Sequence, residues 1–93
     1  MLLTLTNCII TAYVATGNLD ASGHIPKENY TIASARRDIP LGSKAIINGR
    51  EYVINDHMNK RFNGTDRFDI FMGTNVIKAK QFGIKRKQTI TIK

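Results

Sequence analysis

Asn48-Gly49 lies between two short apolar runs, residues 44–47 and 51–54, and no other feature constrains the fold as much. Asn-Gly is a preferred pair for a two-residue type I′ turn, because both central residues need positive φ. The two runs are therefore expected to pair as a hairpin.

The rest of the chain follows the same pattern of short β-branched runs between turn signals. Leu3, Leu5 and residues 8–14 make an opening strand. Residues 16–29 carry two Gly, two Asn and a Pro and read as a long loop. Residues 30–35 are a short strand, and Ile39-Pro40-Leu41-Gly42 is a turn. Residues 56–66 are polar and read as a loop, followed by a strand at 67–72. Residues 74–82 form the one helix candidate, with Thr74 as its cap and Gly83 at its C-terminal stop. Val76, Ala79 and Phe82 would share a face. The run from Ile84 to Ile92 closes the chain as a strand. About six short strands and one helix in 93 residues predict a single all-β domain, a barrel that leaves no open edge.

The formal net charge is +7, from 14 Lys+Arg and 7 Asp+Glu, and this favours anionic partners. Nucleic acid, anionic lipid and anionic wall polymers all qualify. Six of the basic residues fall between Lys78 and Lys93, where a solvated face is the plain reading. No apolar run approaches the ~20 residues of a membrane span. The opening MLLTLTNCII lacks the basic start of a signal peptide. Action at a wall would thus need another export route, as for a phage or mobile-element product or a domain of a larger secreted protein. The lone Cys8 excludes an intrachain disulfide and reads as a small buried hydrophobe. His24 and His57 make no metal-ligand spacing with it, so no metal or other cofactor is expected.

Two carboxylates sit where strands rarely carry them. Asp56 ends YVIND, and Asp69 lies inside RFDIFM. Aspartate is a poor β-former and costly to bury. Asp56 reads either as a turn residue making an Asx hydrogen bond or as a functional acid. Asp69 reads either as an outward carboxylate paired with a cation or as an acid in a cleft between Phe68, Ile70 and Phe71. In such a cleft desolvation would raise its pKa, as a glycosidic general acid requires. Asp20 and Asp66 read as ordinary loop residues.

An ordered set of short motifs accompanies these acids: Thr11-Ala12-Tyr13, Ala21-Ser22-Gly23, Thr31-Ile32-Ala33, Ile39 to Ser43, Tyr52 to Asp56, Arg67 to Phe71, and Ala79 to Gly83. Together they resemble the three-aspartate domain of bacterial cell-wall lytic enzymes and, more loosely, the barrels of rare lipoprotein A and of expansins. The resemblance implies a six-stranded double-psi β-barrel spanning residues 1–93. It implies a lytic transglycosylase that cleaves the MurNAc–GlcNAc bond of peptidoglycan and leaves a 1,6-anhydro end. Asp69 would be the acid–base residue, as in the membrane-bound lytic transglycosylases, with Asp56 assisting. Thr11, Tyr13 and Thr31 would line the groove, and Lys60 and Arg61 would meet substrate carboxylates. Tyr13 also reads as a plain core aromatic, and Lys60 and Arg61 as solvated charge. Two positions depart from the family. Ala35 stands where the first family aspartate falls, and His57-Met58-Asn59 replaces a Thr-Gly-Gly.

An internal nucleophile explains how one acid–base group would suffice. The muramyl C6 hydroxyl attacks its own C1, and intramolecular attack carries a large effective molarity. Three readings compete. One is an expansin-like barrel that binds wall carbohydrate without cleaving it. Another is a nucleic-acid-binding barrel, weakened by the lack of interleaved surface aromatics. The third is an aspartic-protease-like psi barrel, weakened because neither Asp56 nor Asp69 begins an Asp-Thr/Ser-Gly turn.

Overall fold

The computed structural model describes residues 2–93. Its elements in chain order are β1 (Leu3–Tyr13), β2 (Thr31–Ser34), β3 (Lys44–Ile47), β4 (Arg50–His57), a 3-10 turn (Lys60–Phe62), β5 (Arg67–Phe71), α1 (Val76–Phe82) and β6 (Lys85–Ile92). The six strands close into one barrel in the order β1-β5-β2-β4-β3-β6. The β1–β5 and β2–β4 pairs are parallel, and the other neighbours are antiparallel.

The hairpin forms as the sequence predicts. Ile47 pairs with Arg50, and the turn between them holds Asn48 at φ 50° and Gly49 at φ 78°. The helix also forms, but its cap is Asn75. The Asn75 side chain accepts the Lys78 N–H at 2.9 Å, while Thr74 lies outside the helix. Gly83 ends α1 at φ 64°, and its N–H returns to the Ala79 carbonyl. Strand β4 runs through Asp56 and His57, which the sequence assigns to the polar loop. Their backbone is recruited by β2, where Ala33 and Ser34 supply a parallel partner.

Alternation along each strand sends one set of side chains into the core. Cys8, Ile10, Ile32, Ile54, Phe68, Ile70 and Ile90 are each at most 3 % exposed and pack as one cluster. Burial of a side chain the size of Phe68 contributes about 1.5–3 kcal/mol. Ala33, Ala35 and Phe71 are also buried but stand outside that cluster. Ala33 and Phe71 lie on the second face of the β2–β5 pair, and that face carries the candidate site.

Candidate active site

Register assembles the site. Asp69 on β5 is paired with Thr11 on β1 and with Ala33 on β2. Ala33 is in turn paired with Asp56 on β4. Thr11, Asp69, Ala33 and Asp56 therefore form one row across four adjacent strands. Two inter-strand steps separate the aspartate Cα atoms, roughly 10 Å at ordinary strand spacing. Ala33, the residue between them, is small and only 3 % exposed.

A bulge puts Asp56 in this row. The β2–β4 register jumps from Ile32↔Ile54 to Ala33↔Asp56, so Asn55 is passed over. Without the extra residue, Ala33 would meet Asn55 and Asp56 would share the core-facing side of Ile54. A one-residue shift exchanges the faces of a strand.

Asp69 does not point between Phe68 and Ile70, as the sequence suggests. Those two enter the core, and Asp69 stands on the opposite face with Phe71. Its neighbours on that face are Thr11 and Ala33 on the adjacent strands and Phe71 along its own. Thr11 Oγ1 donates to Asp69 Oδ1 at 2.6 Å. Burial raises the Asp69 pKa above the usual carboxylate range, Asp56 pushes it the same way, and the Thr11 hydrogen bond partly offsets both.

Asp56 is held by three donors. Tyr13 Oη donates to Oδ2 at 3.0 Å, and the N–H groups of His57 and Ala21 donate to Oδ1 at 2.9 and 3.1 Å. Tyr13 packs against Phe71 with ring centroids 5.2 Å apart. Its hydroxyl is half-buried beside Asp56, with Asp69 and Asp20 further off, and desolvation and these acids hold it far above the ordinary phenol pKa. A cavity of about 290 Å³ opens here, lined by Tyr13, Phe71, Asp56, Pro26, Leu19 and Ile25, among others.

Asp20 is the residue that the sequence misses. It reads as a loop acid, yet it is only 6 % exposed. Its Oδ1 accepts from the N–H groups of Ser22 and His24 and from the Ser22 hydroxyl, closing residues 20–24 into a tight turn. Its Oδ2 is buried without a partner among the described residues, as is His57 Nδ1. The Asp20-Ala21-Ser22-Gly23 pattern signals an Asx turn, but nothing local shows that the turn folds onto Asp56 through the Ala21 N–H.

The other proposed positions fall elsewhere. Thr31 is 1 % exposed, and its hydroxyl accepts the Lys27 N–H at 2.9 Å, so it closes a turn and does not face the cavity. Lys60 and Arg61 stand exposed on the 3-10 turn and make no ion pair with Asp56 or Asp69. Arg61 lies over the Phe62 ring. Ala35 is fully buried, with its N–H and carbonyl bonded to Arg67 and Gly64.

The remaining carboxylates have structural partners or lie apart. Arg36 donates to Asp38 at 2.8 and 2.9 Å and to Asp66 at 2.7 Å. Glu51 faces Lys44 and Lys93. Of the seven acids in the chain, Asp20, Asp56 and Asp69 are the three that gather around Tyr13. No set of three potential metal ligands converges among the described residues. Cys8 is buried with its thiol pushed up to about 11, and so is no nucleophile. Among the described residues no helix is long and apolar enough to cross a membrane. Comparison with protein-family models, curated proteins and solved structures finds no match to this chain.

Proposed function

We propose that this chain is a double-psi barrel of the three-aspartate kind that cleaves peptidoglycan glycan strands as a lytic transglycosylase. The observation that carries the reading is Asp69. It is a desolvated carboxyl with a raised pKa, hydrogen-bonded by Thr11 and set one residue across from Asp56. The two parallel strand pairs inside a closed six-stranded barrel support the finer topology.

In this reading Asp69 protonates the glycosidic oxygen as the bond to C1 breaks, then takes the proton of the muramyl C6 hydroxyl as that oxygen closes on C1. A carboxyl that holds its proton toward neutral pH suits the first step, and its conjugate base suits the second. Asp56, fixed by three donors, faces the positive charge that develops on the sugar ring. Tyr13 offers a ring edge to the sugar and keeps Asp56 in place. The proposed place of action is the cell wall.

The cavity itself favours a second reading. It opens on Asp56, Tyr13 and Phe71, and Asp69 is not part of its lining. A barrel that holds a sugar there without cutting it, as in expansin-like proteins, uses the same groove. Incubation with insoluble peptidoglycan, followed by mass spectrometry of the soluble products, separates the two. Anhydromuramyl ends from the wild type and none from Asp69→Asn are expected. Wall binding with intact glycan from both proteins would leave only the binding barrel.

A further inference from the structure

A second cavity of about 290 Å³ lies between the β3–β4 turn, α1 and the start of β6, apart from the aspartate row. Asn48, Arg50, Tyr52, Phe82, Lys85 and Gln88 line it. Arg50 lies over the Tyr52 ring at 5.6 Å, and Lys85 over the Phe82 ring at 5.3 Å. Neither cation has a carboxylate partner among the described residues, since the ion pairs of the barrel belong to Arg36, Lys44 and Lys93. Lys78, Lys80, Arg86 and Lys87 continue the charge along α1 and β6, all exposed and all likewise unpaired among the described residues. Lys87 takes the left-handed φ of 54°, beside the irregular β1–β6 register around Cys8. That conformation is disfavoured for a lysine.

We infer that this cavity and the basic face around it bind a phosphodiester polymer without bases, a polyol-phosphate chain. Two cations over rings at one cavity, with four more exposed on the same helix and strand, suit a run of phosphates. Repelled charges of this density are otherwise offset by interspersed acids, and here Glu51, next to Arg50 in the chain, is already shared by Lys44 and Lys93. The rings argue against nucleic acid. Tyr52 is buried, Phe82 is half-buried, and a cation already lies over each, so neither offers a platform for a base to stack on. The surface is independent of the aspartate row and of the chemistry proposed there.

Titration of the full chain with purified poly(glycerol phosphate), by calorimetry at several salt concentrations, tests this. If about four phosphates are neutralised, affinity falls roughly 50-fold between about 50 and 200 mM salt. Arg50→Glu with Lys85→Glu is expected to weaken binding at least about tenfold, while Asp69→Asn leaves it unchanged. Should the double variant fail to fold by circular dichroism, Lys78→Glu with Arg86→Glu reads the same surface at exposed positions, and a loss of at least about threefold is expected. Unchanged binding in the folded variant, or no binding by the wild type, overturns the inference. Tighter binding of a single-stranded oligonucleotide than of the base-free polymer overturns it as well.

Discussion

Replacing Tyr13 by Phe removes one interaction and little else. The ring, its contact with Phe71 and the wall of the cavity all remain. The hydrogen bond from the phenol to Asp56 Oδ2, 3.0 Å long, is lost. Hydrogen bonds to charged groups contribute about 1.5–3 kcal/mol. The low end applies here, because Asp56 is only half-buried and keeps the Ala21 and His57 N–H groups. A loss of about 1.5 kcal/mol is expected, which for a domain of this size lowers Tm by roughly 6–12 °C. Urea unfolding of the wild type, Tyr13→Phe, Asp56→Ala and the double variant would measure it. Nearly all of the Tyr13→Phe cost should vanish in the Asp56→Ala background, which leaves the phenol no partner at that position. If Tyr13→Phe costs as much in that background as in the wild type, the phenol acts elsewhere and the account of how Asp56 is held fails. In the catalytic reading the same variant should lose turnover while wall binding persists.

Three further outcomes follow from the geometry. The Asp69 pKa is raised on folding, so its charge opposes folding above the folded pKa and has no effect below the unfolded value near 4. Asp69→Asn should therefore be more stable than the wild type at neutral pH, with the gap closing as pH falls through the raised folded pKa and gone below about 4; a pH series of Tm values that shows a constant gap would refute the burial argument. Asn75→Ala removes the side chain that caps α1 and should cost about 1 kcal/mol by urea denaturation, whereas Thr74→Ala should cost little. Phe68→Ala empties the middle of the core and should cost about 3–5 kcal/mol, enough to leave much of the population unfolded at about 37 °C.

The disposition of the acids follows from where each could find a counter-charge. Asp38 lies two residues from Arg36, which holds its carboxyl below the usual range. Asp66 reaches the same guanidinium from the β5 side of the barrel. Both are thereby removed from chemistry. Asp20, Asp56 and Asp69 are bound instead by N–H and O–H donors, with no cation paired to them among the described residues. Such donors fix a carboxylate in position without neutralising it.

What the sequence determined by itself is local. Asn48-Gly49 dictates a turn because those two residues accept positive φ where others resist it, and the hairpin follows. Alternating apolar residues give the strands, and Gly83 stops α1, for equally local reasons. Asp69 stands out because an acid inside a β-branched run needs an explanation. The face it occupies was not legible, because alternation gives two faces and only the barrel decides which is the core. The β4 bulge at Asn55 was not legible either. It depends on β2, a strand well upstream, whose pairing turns Asp56 onto the Ala33 side. Asp20 had the same invisibility: its turn is written locally, but its burial against Asp56 comes from a loop folding across strands that are distant in sequence. Patterns of period two and single turns are properties of neighbouring residues. Register, face and the meeting of three acids around one tyrosine are properties of long-range pairing, and only the closed barrel fixes them.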